Sequence, residues 1–364
     1  MRVGIITFHC SYNFGSALQA YALFRLVESR VGEAQVIDYR GRDYYKYYRL
    51  FRIARPETMV DNLLGLRGNI KRKDAFERFI GERLNLTSSS YNFRDEERMT
   101  ELADEFDCFI CGSDQIWNLD CTRGPVGPYF LSFAGCKRRI AYAPSLAHTS
   151  FSPKNFTEAD RRYIGEQLDK FTAVSVREAS TVSLFQPLTN KTIDVCLDPT
   201  LLVNVEEYRT IAARAPVEGS FVFAYMLEEN PVVMKQAERV ARLLGVRLVY
   251  ASPRNRRLGV PSTNLYGIGP SEFLDLIARA ACVVTNSFHA TVFSLLMETP
   301  FQTVTTGASG SRMCDLLSSL GEEGHLIERP VDDLPATASP MSFMPKLEEL
   351  RAHSLAFLDH ALVE

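Results

Sequence analysis

The chain has 364 residues, of which 46% are hydrophobic and 23% are charged, and its formal net charge is −3. This composition excludes extensive disorder, and the slightly acidic balance excludes a protein that binds nucleic acid through an overall positive charge. A chain of this length usually forms more than one hydrophobic core, so two domains are predicted. No apolar run has membrane-spanning length, and the first residues have the pattern of a core strand instead of a signal peptide, so we expect a cytoplasmic protein.

Predicted strands and helices alternate through the first half of the chain. The predicted strands are residues 3–8, 34–39, 106–111, 139–143 and 173–176, and the helices are residues 17–27 and 160–171. Such alternation predicts a mainly parallel sheet that is covered by helices on both faces.

A second alternating series follows Asp198-Pro199-Thr200. Its predicted strands are residues 221–226, 247–251, 282–285 and 301–305, its helices are residues 232–244 and 272–281, and the tail at 346–362 has helical periodicity. The predicted fold is therefore α/β, with two Rossmann-like domains that face a cleft. We assign residues 1–203 to the N-terminal domain, residues 204–345 to the C-terminal domain, and residues 346–364 to a C-terminal helix that packs back on the N-terminal domain.

Residues 40–83 form a basic insertion in the predicted N-terminal domain. The insertion has twelve Lys and Arg residues against six acidic ones, and Tyr44, Tyr45, Tyr47 and Tyr48 lie among the first of them. Such a segment suits an anionic membrane surface or a diphosphate-linked substrate, and it suits nucleic acid least because no RNA-binding signature is present. The alternative is a solvated insertion that binds no ligand.

The segment from Thr285 to Ala290 carries the most informative local signal. It follows the apolar run 280–284, which is typical of a buried parallel strand, and it precedes a predicted helix that ends before Pro300. Ser287 is a good N-cap, which places His289 in the first helical turn, where free N–H groups and the helix dipole favour an anion. The alternative interpretation is a capping serine beside a histidine that packs against a neighbour.

Six strand-end motifs can be read in order along the chain. They are residues 8–21 (FHCSYNFGSALQAY), 111–118 (CGSDQIWN), 141–146 (AYAPSL), 175–178 (SVRE), 197–202 (LDPTLL) and 285–291 (TNSFHAT). In content and order, this set resembles the polysaccharide pyruvyl transferase family over nearly the whole chain. The resemblance implies a fold similar to that of GT-B glycosyltransferases.

The resemblance also implies a reaction. Members of the family move the pyruvyl group of phosphoenolpyruvate onto two hydroxyls of a sugar, which forms a cyclic ketal, releases phosphate and contributes to surface polysaccharides. We therefore expect phosphoenolpyruvate as the donor and no further cofactor. The acceptor is expected to be a sugar, carried either by a lipid diphosphate or by a nucleotide, and we leave a homo-oligomer open. No metal is expected, because the histidines are scattered and no acidic cluster has ligand spacing. The alternatives are a glycosyltransferase that uses a nucleotide sugar and a non-catalytic glycan-binding protein of the same fold.

Four residues are expected to bind the donor, and the resemblance implies this role for one of them, Arg177. Arg177 is expected to bind the donor because a guanidinium grips a carboxylate or phosphate in bidentate fashion, and an ordinary ion pair is the alternative. Asn286, Ser287 and His289 are expected to bind the same anion. His289 is also expected to be catalytic, as a group that transfers a proton or stabilises the departing phosphate.

The remaining candidates lie on the acceptor side. Asp114 is expected to be catalytic by orienting or deprotonating a sugar hydroxyl, and capping of the next helix is the alternative. Asn13 and Gly15 are expected to bind the acceptor from the first strand-to-helix turn, where glycine permits a close backbone approach. Gln115 and Trp117 are expected to line the acceptor pocket, unless Trp117 belongs to the core.

We predict that the protein associates with anionic vesicles in a salt-sensitive manner, because each basic residue near such a surface contributes about 1 kcal/mol. Neutralising Arg49, Arg52, Arg55, Lys71, Arg72 and Lys73 should raise the KM for a lipid-linked acceptor and leave that for phosphoenolpyruvate unchanged. Vesicle sedimentation of the native and neutralised proteins measures the association. Equal binding of the two proteins would reduce the insertion to a solvated segment.

Overall fold

The structure is a computed structural model that describes residues 1–42, 56–147, 156–251, 262–305 and 310–363, with the backbone alone for residues 56–65. These residues fall into two compact units. The first unit comprises the described residues up to 203, except 56–79, together with those from 350 onward; the second unit comprises residues 56–79 and the described part of 204–349. The four tyrosines of the basic insertion, and Lys46, Arg49, Arg52 and Arg55, lie outside the described residues.

The first unit is built on a sheet of seven strands. They are β1 (Arg2–Ile6), β2 (Glu33–Arg40), β3 (Leu86–Asn92), β4 (Cys108–Cys111), β5 (Arg138–Ala141), β6 (Ala173–Val176) and β7 (Ile193–Val195). Their order in the sheet is β3-β2-β1-β4-β5-β6-β7, and each neighbouring pair is parallel. This is the Rossmann order, in which the direction of winding reverses between β1 and β4.

Helices and short turns connect these strands. The helices are α1 (Phe14–Val31), α2 (Pro56–Arg83), α3 (Leu102–Glu105), α4 (Leu119–Thr122), α5 (Glu158–Leu168) and α6 (Ala179–Phe185). Helix α1 begins three residues earlier than the sequence predicted, because the Asn13 side chain accepts hydrogen bonds from the backbone N–H groups of Gly15 and Ser16. It ends at Gly32, whose φ of +76° suits glycine.

The second unit repeats the same winding with six parallel strands. They are β8 (Phe221–Tyr225), β9 (Arg247–Ala251), β10 (Ser262–Asn264), β11 (Cys282–Thr285), β12 (Phe301–Val304) and β13 (Leu326–Ile327), in the order β10-β9-β8-β11-β12-β13. The helices are α7 (Val205–Ile211), α8 (Pro231–Leu244), α9 (Pro270–Arg279), α10 (Phe288–Leu296), α11 (Gly310–Leu320) and α12 (Pro340–Val363). The predicted α/β class with two Rossmann-like domains is confirmed.

Helix α2 was not predicted from the sequence, because many of its residues are polar or charged and its apolar stripe is short. That stripe consists of Phe76, Phe79 and Ile80, which are buried. Up to Phe79 the helix belongs to the second unit, although the whole insertion was predicted to lie in the N-terminal domain. Ala75 packs against the backbone at Gly269, and the Arg72 guanidinium lies 4.8 Å from the centre of the Tyr266 ring. Arg72 therefore has a packing role in addition to its charge.

The last part of α12, from Leu350 onward, belongs to the first unit. Arg30 forms an ion pair with Asp359, and the Ser354 hydroxyl accepts a hydrogen bond of 2.9 Å from the backbone N–H of Leu197. The Arg138 guanidinium also donates to the carbonyl of Leu362. These contacts hold the end of the chain on the helices and strands of the first unit.

A buried histidine follows β1 in the first unit. The Nε2 atom of His9 lies 3.0 Å from Asp38 Oδ1, and the Arg40 Nε atom lies 2.9 Å from the same oxygen. Burial alone raises the pKa of the Asp38 carboxyl, but the hydrogen bonds and charges of His9 and Arg40 outweigh burial and hold the pKa below its usual value. These contacts fix the ends of β1 and β2 to each other.

We predict that Asp38→Asn lowers the free energy of unfolding by about 1–3 kcal/mol at pH 7, the usual effect of losing charged hydrogen bonds. The carboxyl pKa is lower in the folded chain than its unfolded value of about 3.9, so the stability that ionised Asp38 contributes is complete above that value. It is lost as the pH falls from there towards the folded pKa. Urea denaturation at pH 7 and pH 3 should therefore show a smaller difference between variant and wild type at pH 3.

The exposed Asp104 provides the control, since Asp104→Asn should change stability little at either pH. A destabilisation by Asp38→Asn that stayed constant between pH 7 and pH 3 would show that the Asp38 charge does not contribute.

Candidate active site

Apart from Arg177, the predicted site residues of the first unit follow β1 or β4, where the sheet changes its direction of winding. Asn13 ends the loop after β1 as the N-cap of α1, Ser16 lies in the first turn of α1, and the loop after β4 carries Asp114 and Gln115. In a sheet of this order, the two loops leave the carboxyl ends of adjacent strands towards opposite faces, which opens a crevice for a ligand. The Ser16 hydroxyl donates a hydrogen bond of 2.6 Å to Asp114 Oδ2 and so joins the start of α1 to the loop after β4.

The local backbone holds Asp114 at the floor of this crevice. The residue has a φ of +63° and is only 5% exposed. Its carbonyl accepts a 2.7 Å hydrogen bond from the backbone N–H of Ser145, in the loop after β5. A carboxylate that is buried, oriented and bonded to a hydroxyl is suited to accept a proton from a second hydroxyl.

Arg177 follows β6 and has a fully enclosed guanidinium group, with a side chain that is 4% exposed. Its Nη1 atom lies 2.7 Å from Asp198 Oδ2 and its Nε atom lies 3.0 Å from Glu178 Oε1. Burial alone lowers the pKa of Arg177, but the charges of Glu178, Asp198 and Asp114 outweigh burial and raise it. The guanidinium therefore stays charged among three carboxylates.

Serine hydroxyls extend this cluster to the loops after β4 and β5. Ser145 Oγ donates to Glu178 Oε1 over 2.6 Å, and Ser113 Oγ lies 3.4 Å from Asp198 Oδ2. Asp198 also accepts hydrogen bonds from the backbone and hydroxyl of Thr200. Asp198 was not a candidate site residue from the sequence, because it follows β7, a strand that was not predicted, and no pattern linked it to Arg177.

Above Asp114, described residues of the first unit line a cavity of about 850 Å³. Asn13, Asp114 and Gln115 belong to its lining, together with Ser16 and five aromatic residues: Phe8, Tyr39, Phe93, Tyr129 and Tyr163. The Tyr129 ring packs edge-to-face against Phe8 and Tyr39, with centroid distances of 5.2 and 5.3 Å. The walls of the cavity are therefore fixed aromatic rings, and its floor is polar.

Gly15 and Trp117 are absent from the cavity lining. The N–H of Gly15 donates to Asn13 Oδ1 over 2.9 Å, so Gly15 serves the helix cap. Trp117 is fully buried, stacks on Phe130 at 5.1 Å, and donates from Nε1 to the carbonyl of Tyr129. Because neither face of the indole is exposed, we assign Trp117 to the core in place of the sugar-stacking role expected from the sequence.

The second unit places Asn286, Ser287 and His289 at its own change of winding, between β8 and β11. The Asn286 side chain spans the two loops, since Oδ1 accepts from the backbone N–H of Leu227 and Nδ2 donates to the carbonyl of Glu228, both over 3.0 Å. As predicted from the pattern, Ser287 is the N-cap of α10 and accepts a hydrogen bond from the backbone N–H of Ala290. In each unit, polar side chains thus connect the segments that follow the two strands at the change of winding.

His289 lies in the first turn of α10 and is 7% exposed. Its ring packs edge-to-face against Phe288, with centroids 5.2 Å apart. The structure thus brings Asn286, Ser287 and His289 together in the second unit, and Asn13, Asp114 and Gln115 together in the cavity lining of the first. Arg177 is not part of that lining, but it lies close enough to Asp114 for the two charges to interact. In the described residues, no three His, Cys, Asp or Glu side chains are grouped so that they could hold a metal ion.

Comparison with solved structures shows the fold. Over 99% of the chain, the structure is similar to a candidate UDP-N-acetylglucosamine 2-epimerase from Listeria monocytogenes, with 12% identity, 90% of that chain covered and a TM-score of 0.50. It is equally similar to UGT89C1 from Arabidopsis thaliana, with 12% identity, 98% of that chain covered and a TM-score of 0.50. These are GT-B proteins, so the predicted GT-B-like fold is confirmed. Within the described residues, no helix combines the length and the apolar character needed to cross a bilayer.

The sequence comparisons bear on the family. A comparison with curated proteins gave no match. The family model for polysaccharide pyruvyl transferases matches residues 13–306, a span that contains every candidate site residue. The chain therefore belongs to the polysaccharide pyruvyl transferase family.

Proposed function

We propose that the protein transfers the pyruvyl group of phosphoenolpyruvate to two hydroxyls of a sugar during the synthesis of a surface polysaccharide. The family match over residues 13–306 carries the reaction class. In the reaction, two C–O bonds form at C2 of the enolpyruvyl group and the bond from C2 to the phosphate oxygen breaks. One hydroxyl proton moves to C3, which becomes a methyl group, and the other leaves with phosphate.

We assign the acceptor to the cavity of the first unit. Sugars present hydroxyls at their edges and C–H groups on their faces, and the cavity offers polar groups at its floor and aromatic rings on its walls. Asp114 is the general base in this proposal, because its carboxylate is oriented by Ser16 and lies at the floor. Asn13 and Gln115 contribute an amide each to the same lining.

We assign the donor to the residues after β11. Phosphoenolpyruvate is anionic, and the start of α10 supplies backbone N–H groups and a favourable dipole beside the imidazole of His289. In the first unit, by contrast, three carboxylates surround one guanidinium. Their excess of negative charge disfavours the binding of the anionic phosphoenolpyruvate there. We therefore propose that His289 protonates C3 or the departing phosphate, and that Arg177 acts as a positioning residue for Asp114.

Incubation of the purified chain with phosphoenolpyruvate or with nucleotide sugars, each in the presence of candidate glycans, tests the proposal. Release of phosphate from phosphoenolpyruvate that depends on the glycan is the expected result. Release of a nucleotide from a nucleotide sugar would instead establish a glycosyltransferase, and transfer from neither donor with any glycan would favour a protein that only binds glycans.

We predict that His289→Ala folds normally and lowers the rate of phosphate release by about 100-fold or more, as for the loss of a proton-transfer or oxyanion group. His353, an exposed histidine on α12, provides the control, and His353→Ala should keep the wild-type rate. If His289→Ala turned over near the wild-type rate, the residue would have no part in the mechanism.

We predict that Arg177→Lys lowers kcat more than it raises the KM for phosphoenolpyruvate. A single ammonium cannot reproduce the separate contacts of Nε with Glu178 and of Nη1 with Asp198, so the cluster around Asp114 loses its geometry. Steady-state kinetics at saturating acceptor separates the two constants. An unchanged kcat with a strongly raised KM for phosphoenolpyruvate would instead show that Arg177 binds the donor directly.

A further inference from the structure

One part of the cavity wall lies away from the Asp114 floor and is built around Gly127. A Cβ atom added to Gly127 would lie 2.7 Å from Ser132 Oγ, 3.1 Å from Glu96 Oε2 and 3.4 Å from the Tyr163 hydroxyl. Three side-chain oxygens thus converge on a space that stays open because this position has no side chain. We call Glu96, Gly127, Ser132 and Tyr163 the Gly127 cluster, and all four residues line the cavity.

The Gly127 cluster is held by different elements from those that hold Asp114. Gly127 and Ser132 each begin a short 3-10 turn, Glu96 lies in the loop after β3, and Tyr163 lies on α5. The Tyr163 ring packs edge-to-face against Phe130 with a centroid distance of 6.0 Å, which fixes its hydroxyl. Ser132 and Glu96 are exposed, whereas Asp114 is buried, so the cluster lies towards the mouth of the cavity and Asp114 at its floor.

The hydrogen-bonding groups of the cluster complement a sugar. The two hydroxyls can donate and accept, and the Glu96 carboxylate accepts, which together match neighbouring hydroxyls on a pyranose ring. The lining of the cavity as a whole has three carboxylates, from Glu96, Asp114 and Asp120, against two guanidinium groups, from Arg42 and Arg123. This balance disfavours an anionic ligand and favours a neutral one.

The size of the cavity indicates more than one sugar ring. Its volume of about 850 Å³ lies near the top of the range of about 300–1,000 Å³ that holds drug-sized ligands. We propose that the Gly127 cluster is a subsite for a second, neutral sugar residue. This second sugar lies next to the sugar for which Asp114 acts as the general base. The acceptor is then an oligosaccharide. This inference rests on the proposed function for the role of Asp114, but the binding it describes needs no donor.

The experiment measures sugar binding without phosphoenolpyruvate, by calorimetry and by the intrinsic fluorescence of Trp117. Trp117 is the only tryptophan in the chain, and its Nε1 atom donates to the carbonyl of Tyr129, whose ring lines the cavity. The probes are lactose, cellobiose and mannobiose, each compared with the methyl glycoside of its non-reducing hexose, and glucuronic acid as the charged comparison.

At least one neutral disaccharide should bind the wild-type chain about 10-fold more tightly than its methyl glycoside. Gly127→Ala should remove that preference, because its methyl group fills the space between the three oxygens. Tyr163→Phe, which removes only a hydroxyl, should weaken disaccharide binding about 3- to 10-fold. Gly81→Ala is the matched control, since Gly81 lies on α2 with open space around it, and it should bind like the wild type.

Three other outcomes would contradict the proposed subsite. Equal affinity for disaccharides and methyl glycosides, no binding of any neutral disaccharide, or unchanged binding by both cavity variants would each show that no second sugar is held there. Glycan-dependent phosphate release by the wild-type chain, measured separately, decides the proposed function. The two experiments can therefore disprove the subsite while they confirm pyruvyl transfer, or confirm sugar binding at the cluster while they disprove pyruvyl transfer.

Discussion

The candidate site depends on one constraint, which is the reversal of winding within each parallel sheet. Between β1 and β4, and again between β8 and β11, successive loops leave for opposite faces and expose the carboxyl ends of two adjacent strands. Backbone and side-chain polar groups at such a point must be paired or bind a ligand. In the first unit Ser16 and Asp114 form this pair, and in the second unit Asn286 bonds to the loop after β8. The chemistry is proposed at these two places because the fold leaves them open.

The cluster around Arg177 shows how a buried charge can serve a site that it does not line. A guanidinium in a protein interior is stable only when carboxylates surround it, and here Glu178 and Asp198 lie within 3.0 Å of its nitrogens. Removing either partner would leave charge unbalanced beside Asp114. We interpret the cluster as a rigid electrostatic frame, which keeps the carboxylate of Asp114 in one orientation at the cavity floor.

The sequence predicted those features that depend on local pattern. Alternating apolar runs and helices indicated two parallel sheets, and the small polar residues after the run 280–284 indicated a helix start with Ser287 as its cap.

Features that depend on long-range packing were not predicted. Helix α2 hides its apolar stripe among charges, and the burial of Trp117 follows from Phe130, thirteen residues further along the chain. The partner of Arg177, Asp198, lies beyond a further strand, and no spacing rule connects the two. The Gly127 cluster joins residues from three separate segments of the chain, so only the structure could reveal it.

We propose that the two changes of winding divide the reaction, with acceptor and base in the first unit and donor in the second. Calorimetric binding of phosphoenolpyruvate to Asp114→Asn and Asn286→Ala, combined with their turnover, tests this division most directly. The account predicts that Asp114→Asn binds phosphoenolpyruvate like the wild type but loses turnover, and that Asn286→Ala loses affinity for phosphoenolpyruvate. Loss of phosphoenolpyruvate binding in Asp114→Asn, with normal binding in Asn286→Ala, would contradict it.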